Sequence, residues 1–313
     1  MKRIIDYILW FIWFPLRNIV LLIPQKITYS ILSFCSFLLY LADSKRRNGV
    51  NKELEMLYGN RFSKREIRKI AISSFDLFFK RLFENLYFSY KKMDIGMFNK
   101  IASIEGFEHV KAALEKGNGV LLIQFHFGSF LLILLALSLR GVTINALAGT
   151  PLKESSYIKN KMVEFRDKEK DLYPFKVLTI NSSLLPVVRA LKNNEAIGVT
   201  IDGRQGANWV PVRLFDRTAL FSTGLIDLSM RTGAVILPLA IVMGPDKRHR
   251  IIIEPPMELT ADEDRGKMLR INVERFIRNY EKYLLNYPDH YAMTLYNIRE
   301  EVRRGINTPL FAD

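Results

Sequence analysis

After Gly106 the chain alternates short β-rich runs with segments of helical character, and this pattern restricts the fold more than any other feature of the sequence. The β-rich runs are residues 119–124, 143–148, 197–201, 234–243 and 251–254. Alternation of this kind predicts βαβ units around a largely buried sheet. We therefore expect an α/β fold with a mostly parallel mixed sheet flanked by helices on both faces.

Helices are expected between and after these runs, at residues 107–115, 129–139, 155–168, 183–192, 222–232 and 262–285. Thr260 and Asp262 are the expected N-terminal caps of the last helix. Residues 48–100 predict a helical lead-in, because Ser63 and Glu66 have the spacing of a capping box and apolar residues recur after them at helical intervals. The lead-in and the α/β region together are expected to form one domain over residues 48–313.

Residues 1–47 form a distinct and strongly apolar segment. No uninterrupted stretch in it reaches the ~18 to 20 apolar residues that cross a bilayer. Two arrangements remain open: residues 4–24 cross the membrane with Arg17 reaching a headgroup, or the segment forms a helical hairpin in one leaflet. The basic residues Lys45, Arg46 and Arg47 would then lie at the anionic cytoplasmic leaflet. A buried helix of a soluble protein is the remaining interpretation.

The chain is basic, with 46 Lys and Arg against 32 Asp and Glu and a formal net charge of +14. Such a charge favours an anionic partner: nucleic acid, an anionic membrane face or a phosphorylated substrate. The 12% aromatic content favours contact with lipid, and no nucleic-acid-binding motif is recognisable. The single cysteine, Cys35, excludes a disulfide scaffold and a multi-cysteine zinc site. We therefore predict no bound metal or cofactor and no nucleic-acid partner.

His126 is the strongest candidate for a catalytic residue. It ends the apolar run VLLIQFH and is followed by the turn FGS and an apolar helix. The ends of strands are where open α/β sheets carry their functional groups. A structural histidine beside an apolar strand is the alternative interpretation. The other three histidines, His109, His249 and His290, are expected to be ordinary surface or turn residues.

The segment GVLLIQFHFGSFLL resembles the signature of the lipid A and phosphatidylinositol-mannoside acyltransferases, within the lysophospholipid acyltransferase superfamily. That signature is a His followed, after four residues, by Asp or Glu. Residues 201–242 resemble the family's succession of strand, Asp, glycine-rich loop, small-residue helix and Pro-containing strand. Residues 51–86 look like its helical region, and residues 286–300 look like its C-terminal segment. The resemblance covers nearly the whole chain in the correct order.

This resemblance implies a membrane-bound acyltransferase at the cytoplasmic face of a bacterial inner membrane. The acyl chain would come from a thioester of acyl carrier protein or coenzyme A. A hydroxyl or amine of a lipid, glycolipid or other amphiphile would receive it. His126 would be the general base that takes the acceptor's proton and returns it to the leaving thiolate. A backbone N–H near Gly128 would stabilise the oxyanion.

The sequence departs from the family's pattern at the acid of the signature, where Leu131 stands. Two explanations remain open. Another carboxylate orients His126, with Asp202 the first candidate and Glu84 the second. Alternatively, the chain is a catalytically silent homologue that binds lipid or acyl carrier protein as part of a protein complex.

Six further residues are candidates for binding the substrate: Gly128, Ser129, Arg204, Arg217, Thr223 and Gly224. The two arginines lie in a predicted loop after Asp202, where a guanidinium would hold a phosphate or phosphopantetheine group. Thr223 and Gly224 open a predicted helix, and its N-terminus would also hold an anion. A solvated basic loop and a close helix packing are the respective structural alternatives.

Overall fold

Seven strands of the described chain form one sheet, and two more form an antiparallel ribbon. The structure is a computed structural model, and it describes residues 23–90, 93–149, 175–180, 183–204, 206 and 208–312. The strands are β1 (Ala102–Glu105), β2 (Val120–Gln124), β3 (Ile144–Gly149), β4 (Lys176–Ile180), β5 (Ala196–Thr200), β6 (Trp209–Leu214), β7 (Arg217–Ser222), β8 (Val235–Met243) and β9 (His249–Ile253).

The described helices lie before, between and after these strands. They are α1 (Gln25–Ala42), α2 (Ser44–Tyr58), α3 (Lys64–Tyr90), α4 (Ile95–Ile101), α5 (Phe107–Leu114), α6 (Leu131–Ser138), α7 (Leu185–Lys192), α8 (Gly224–Thr232), α9 (Arg265–Asn286) and α10 (Asp289–Arg303). The predicted helix at 155–168 lies outside the described residues, as do residues 1–22.

The large sheet has the order β1-β9-β8-β2-β5-β3-β4, and within it β8 and β9 are the antiparallel pair. This confirms the predicted mostly parallel mixed sheet. β2 lies at its centre between β8 and β5, and all five of its residues are buried. Strands covered on both faces read as continuous apolar runs, which is why this segment shows no polar alternation.

Two hydrophobic cores cover the two faces of the sheet. Leu121 and Ile123 of β2 point into the first, which includes residues of α1, α2, α3, α9 and α10. Val120 and Leu122 point into the second, which is closed by α5 and α6. Because successive side chains of a strand point to opposite faces, one short strand anchors both cores.

The helical lead-in packs against the sheet rather than standing apart from it. Ser63 and Glu66 form the predicted capping box at the start of α3, with the Glu66 carboxylate accepting from the Ser63 N–H at 2.8 Å. The Ser33 hydroxyl on α1 donates to Asp76 on α3 at 2.8 Å. Among the described helices, none by itself has both the length and the apolar character needed to cross a bilayer. The pair α1 and α2 meets those requirements only together, across a bend of 92°.

The ribbon of β6 and β7 corrects the prediction of a basic loop after Asp202. The two strands pair from Trp209 with Ser222 to Leu214 with Arg217, so Arg217 begins a strand. Phe215 takes a positive φ of 51° in the two-residue turn. Such turns usually contain Asn-Gly or another glycine pair. The usual sequence signal for a hairpin was therefore absent.

Smaller corrections concern the ends of helices. α6 begins two residues later than predicted, because Ser129 and Phe130 form a turn in which Leu132 N–H donates to the Ser129 carbonyl at 2.9 Å. α9 begins at Arg265, and its cap is Asp264 rather than Thr260 or Asp262. The Asp264 carboxylate accepts from the backbone of the first turn, which satisfies donors that have no partner within the helix.

Candidate active site

His126 and Asp202 meet at the carboxyl ends of neighbouring parallel strands. β2 and β5 pair so that Gln124 stands opposite Thr200, and each site residue lies two positions further along its strand direction. His126 Nδ1 is 2.9 Å from Asp202 Oδ1. The backbone N–H of His126 also donates to Oδ1 at 3.0 Å and to Oδ2 at 3.2 Å. The sheet thus brings together the two residues that the sequence suggested as a pair.

The two side chains differ in how far they are buried. The Asp202 side chain is fully buried, whereas 37% of the His126 side chain remains exposed. A carboxylate beside Nδ1 favours the tautomer in which Nδ1 carries the proton and donates it. Nε2 is then the ring nitrogen that carries the unprotonated lone pair. Such an imidazole is able to accept a proton from a substrate.

Three further contacts hold the imidazole and its backbone. Thr200 Oγ1 lies 3.3 Å from His126 Nε2. The Phe130 ring stands perpendicular to the imidazole, with 5.1 Å between ring centroids. Thr294 on α10 donates its hydroxyl to the His126 carbonyl at 2.8 Å. Sequence reasoning missed both threonines. For Thr200 the available signal was its place at the end of the predicted strand that leads to Asp202.

The surroundings of Asp202 are buried and contain phenols and a guanidinium. Burial, and after it the charge of Asp202, raises the pKa of Tyr291 well above its ordinary value. This phenol therefore stays neutral. Arg81 on α3 lies near both Asp202 and Glu84; burial lowers its pKa, and the two carboxylates oppose that effect. An arginine remains protonated in proteins, so Arg81 supplies positive charge to a region that holds two buried acids.

Glu84, the second predicted partner of His126, has other partners. Its fully buried carboxylate on α3 accepts from the hydroxyls of Tyr29 and Ser129 and lies 2.7 Å from His249 Nε2. Burial alone would raise the pKa of Glu84, but His249 and the hydrogen bonds from Ser129 and Tyr29 lower it more, so that the pKa lies below its ordinary value. Glu84 therefore anchors Ser129, and with it the turn that follows His126.

Two histidines that were expected at the surface are buried. His249 begins β9, and its side chain is enclosed beside Glu84. His290 stacks on Phe127 with 5.2 Å between ring centroids, and its Nε2 accepts from the Met243 N–H at 2.9 Å. Both predictions were wrong because the neighbouring residues in the sequence are polar, whereas the side chains that pack on these histidines come from distant parts of the chain.

The turn after His126 contains the backbone N–H groups near Gly128 from which an oxyanion donor was expected. Gly128 has a φ of +54°, which favours glycine, and an added Cβ would lie 2.8 Å from the Ile241 carbonyl oxygen. Its N–H already donates to the His290 carbonyl at 3.1 Å. Within the described residues, the next two amides, of Ser129 and Phe130, have no hydrogen-bond acceptor. These two N–H groups are the available donors of the turn.

The hydrogen-bond partners of Arg204 are backbone carbonyls of the protein itself. Its guanidinium donates to the carbonyls of Leu220, Thr308 and Pro309 at 2.6, 3.2 and 2.5 Å, and it lies 4.1 Å from the Trp209 ring centroid. The side chain therefore joins the C-terminal tail to the ribbon, in place of the phosphate contact that the sequence suggested.

The other three candidates for substrate binding also contact neighbouring groups of the protein. The Arg217 guanidinium lies 3.8 Å from the centroid of the Phe311 ring. The backbone N–H of Thr223 donates to the Asn208 carbonyl at 3.0 Å, and that of Gly224 donates to Ser222 Oγ at 3.3 Å. Among the described residues, no group of three or more His, Cys, Asp and Glu side chains is placed to hold a metal ion.

Comparison with known proteins gives one family match and two similar relatives. A family model described as bacterial lipid A biosynthesis acyltransferase matches residues 2–295. The lipid A biosynthesis palmitoleoyltransferase of Escherichia coli (strain K12) is 26% identical over 188 residues. The lipid A biosynthesis acyltransferase of Shigella flexneri gives the same identity over the same length. Each match covers 58% of this chain and 58% of the relative.

One solved structure is also similar. The 1-acyl-sn-glycerophosphate acyltransferase PlsC from Thermotoga maritima aligns over 83% of this chain and 98% of its own, with a TM-score of 0.37 and 15% sequence identity.

Proposed function

Because this chain belongs to the bacterial lipid A biosynthesis acyltransferase family, we propose that it transfers an acyl chain from a thioester to an amphiphilic acceptor. The donor is a thioester of acyl carrier protein or coenzyme A. The acceptor is a hydroxyl or amine of a lipid, glycolipid or other amphiphile. The observation that carries this proposal is the His126–Asp202 pair, whose 2.9 Å contact leaves Nε2 as the nitrogen that accepts a proton, on a side chain that is 37% exposed.

In this proposal Asp202 takes the role of the acid that the family's signature has at the position of Leu131. Leu131 is the first residue of α6 and packs against the second core. Asp202 reaches Nδ1 from β5 instead, where it selects the tautomer and stabilises the imidazolium that forms during the reaction. Nε2 takes the proton of the attacking nucleophile, the thioester carbonyl is attacked, and the imidazolium returns the proton to the leaving thiolate. The free amides of Ser129 and Phe130 are suited to stabilise the oxyanion.

We place the protein at the cytoplasmic face of a bacterial inner membrane because of an exposed apolar face on α1. The residues of this face recur at intervals of three and four: Ile27, Ile31, Phe34, Leu38 and Leu41. Phe34 has 64% of its surface exposed. The basic residues Lys45, Arg46 and Arg47 lie three to five residues after Ala42, the last residue of this helix, and such residues bind anionic headgroups. An apolar helix face followed by positive charge is typical of an interfacial helix.

The alternative is a catalytically silent homologue that binds lipid or acyl carrier protein within a larger complex. Leu131 is the observation that favours it. General base catalysis by His126 requires a carboxylate within hydrogen-bond reach of the imidazole, roughly 2.6 to 3.2 Å. The Asp202 contact satisfies this requirement, and we therefore prefer the active enzyme.

The test compares the extractable lipids and pigments of the native host by mass spectrometry. The strains are the wild type, the gene deletion, and the deletion complemented with the wild type, with His126→Ala or with His109→Ala as a control outside the site. We expect a species bearing one additional acyl group that is lost in the deletion and restored by the wild type and by His109→Ala. His126→Ala should leave it absent while the protein accumulates normally in the membrane fraction. Full restoration by His126→Ala would overturn acyl transfer and favour the binding role.

A further inference from the structure

A small, partly open cavity lies between α3, α10 and the turn that follows His126. Its walls include Arg81 of α3, Ser129 of the turn, His249 of β9 and Thr294 of α10. Thr294 connects the cavity with the candidate active site, because its hydroxyl donates to the His126 carbonyl at 2.8 Å. A group bound in this cavity would therefore lie beside the backbone that carries the catalytic histidine.

Arg81 brings a positive charge to this cavity. Within the described residues, its guanidinium has no hydrogen-bond acceptor and no carboxylate oxygen within 4.0 Å. Its Cζ lies 5.4 Å from the centroid of the Phe78 ring, and the side chain is only partly exposed. A polar group that is taken out of water without a partner costs free energy, and for a charged group the cost is larger. An anionic ligand would supply the missing acceptors.

A second polar group on the wall of the cavity also lacks a partner. His249 is 3% exposed, and its Nε2 lies 2.7 Å from Glu84, whereas its Nδ1 is buried without any hydrogen bond in the described chain. Buried polar atoms in proteins nearly always have a partner. An imidazole nitrogen accepts from a protonated oxygen when it is neutral and donates to an ionised oxygen when it is protonated. His249 is therefore suited to contact the same ligand as Arg81.

The carboxylates nearest to this cavity are held by donors of the protein itself. Glu84 accepts from two hydroxyls and lies beside an imidazole, as described above. Asp289, on the cavity wall, lies 2.8 Å from His290 Nδ1 and accepts from the Ser73 hydroxyl at 2.5 Å. These contacts leave the Arg81 guanidinium for an anion that comes from outside the protein.

A phosphate group has the chemistry that this cavity lacks. The planar fork of a guanidinium matches two oxygens of a phosphate, and the resulting hydrogen bonds are stronger than those between neutral groups. Both substrates of the proposed reaction are able to supply a phosphate. One source is the phosphopantetheine arm of the thioester donor, and the other is the headgroup of a phosphorylated lipid acceptor. Arg204 and Arg217, which the sequence suggested for this role, contact groups of the protein instead.

We propose that Arg81 and His249 form a binding site for a phosphate group next to the candidate active site. The bound phosphate anchors one substrate while His126 acts on its reacting end. This inference rests on the proposed acyl transfer for the source of the phosphate. The binding of the phosphate itself is measured without turnover.

The first experiment measures the Kd for inorganic phosphate by calorimetry at constant ionic strength, with detergent-solubilised full-length protein. The proteins are the wild type, Arg81→Met, Arg81→Lys and Arg278→Met. Arg278 is the matched control, because it is exposed on α9 and pairs with Glu274 of the same helix. Thermal unfolding without phosphate establishes that each variant is folded.

We expect the Kd to rise by at least about tenfold in Arg81→Met, because charge-assisted hydrogen bonds are lost. Arg81→Lys should lie between this variant and the wild type, since lysine keeps the charge and loses the fork. Arg278→Met should bind as the wild type does. Equal Kd values in the wild type and Arg81→Met, or no binding to the wild type, would overturn the site.

The second experiment locates the phosphate in the wild type, so it does not depend on the folding of any variant. Hydrogen exchange is measured by mass spectrometry with and without inorganic phosphate. We expect slower exchange in residues 128–130 and 289–294, which lie on two sides of the cavity. Slower exchange confined to residues 44–58 would assign the phosphate to the basic residues of α2 and overturn the proposed location.

Two matched pairs of probes distinguish the sources of the phosphate. They are 4′-phosphopantetheine with pantetheine, and glycerol 3-phosphate with glycerol. Tighter binding of 4′-phosphopantetheine than of inorganic phosphate would assign the site to the donor, and the same gain for glycerol 3-phosphate would assign it to the acceptor. The affinity of that probe should fall by at least about tenfold in Arg81→Met, while its partner without phosphate is unaffected.

The failure of this site and the failure of the proposed function are separate results. Equal phosphate binding in the wild type and Arg81→Met would leave the role of His126 untouched. A full lipid profile in the strain with His126→Ala would overturn acyl transfer and leave the phosphate binding of Arg81 as measured.

Discussion

At the scale of the residue, the site depends on one buried carboxylate that makes three contacts with one histidine. Asp202 accepts from the backbone of His126 through both of its oxygens and lies beside Nδ1 of the ring. Because a hydrogen bond to a charged group is stronger than one between neutral groups, this arrangement holds the imidazole firmly. In the proposed mechanism, a carboxylate just beyond the end of the neighbouring strand takes the role of one placed a helical turn after the histidine.

Asp202→Asn should abolish most of the activity and retain the fold. In serine proteases the equivalent change leaves the geometry intact and lowers kcat about 10⁴-fold, because the wrong tautomer is selected. We expect a loss of about 10³ to 10⁴ in kcat and a small change in KM. Initial rates of acyl transfer with detergent-solubilised protein measure this. Asp216→Asn, at an exposed carboxylate that pairs with Arg61, is the control.

Transfer at the wild-type rate in Asp202→Asn would contradict the role of this acid. Asp202 would then serve only to hold the main chain at His126, which an asparagine oxygen also does.

At the scale of the element, Glu84 connects parts of the fold that are distant in sequence. Its carboxylate joins Tyr29 on α1, Ser129 in the turn before α6 and His249 on β9. α3 carries Glu84, so one charge links two helices, a strand and the turn of the site. Removing one partner of such a buried pair is costly because the other is left without compensation.

Glu84→Gln should lower the free energy of unfolding near neutral pH and weaken the dependence of that free energy on pH in the acid range. The pKa of Glu84 is lowered from 4.5 in the folded state, so its contribution is fully present above pH 4.5 and is lost as pH falls through the lower, folded-state pKa. We expect a loss of about 3 kcal/mol in the free energy of unfolding at neutral pH. The difference between wild type and variant should shrink as the pH falls below 4.5.

Urea unfolding in detergent across this pH range measures the effect, with Glu258→Gln at an exposed position as the control. An acid limb of the same slope in Glu84→Gln and the wild type would show that the pKa of Glu84 is the same in the folded and the unfolded protein, which would contradict the lowered folded-state pKa.

The second element with a testable role is the C-terminal tail, which Arg204 ties to β7. Arg204→Met keeps an unbranched apolar stem and removes three donors to backbone carbonyls. We expect hydrogen exchange to increase by at least about tenfold in residues 306–312, since even one lost hydrogen bond to a charged donor contributes about 1.5 to 3 kcal/mol locally. KM for the acyl donor should stay within about twofold, because no phosphate contact is lost. Arg213→Met, on the exposed side of β6, is the control.

A tenfold rise in KM with unchanged exchange would instead assign Arg204 to the donor's phosphate, as its place after Asp202 in the sequence suggested.

At the scale of the whole molecule, apolar surface and charge are arranged on the helical lead-in. The exposed face of α1 lies just before a run of three basic residues, and the chain as a whole carries a formal charge of +14. The opposite face of α1 packs on α3, close to the elements that hold the site. A membrane bound at α1 therefore lies against the same helical layer that supports His126.

Ile31→Ser combined with Phe34→Ser should weaken binding to vesicles that contain anionic lipid. Burial of each side chain contributes about 1.5 to 3 kcal/mol, and partial burial at an interface contributes part of that. We expect the partition coefficient to fall by at least about tenfold, as measured by sedimentation with sucrose-loaded vesicles. Binding of the wild type should also weaken with added salt, because counterions screen the basic residues. Leu285→Ser, at another exposed apolar position, is the control.

Equal partitioning of the double variant and the control would exclude the α1 face as the main site of membrane contact.

The class of fold, the capping box of the lead-in and the place of His126 at the end of a strand could all be predicted from the residues alone. These features depend on periodicity and on residues a few positions apart, and local interactions produce them. The sequence also limited the candidates for the carboxylate that orients His126 to Asp202 and Glu84.

Which of those two acids lies beside the imidazole depends on how the chain packs. Asp202 lies 76 residues after His126, and the choice depends on β5 pairing with β2, which long-range packing sets. The same reason explains the buried His249 and His290 and the approach of Thr200 to Nε2. In each case the partner comes from another strand or helix. The local pattern of residues does not indicate which elements become neighbours.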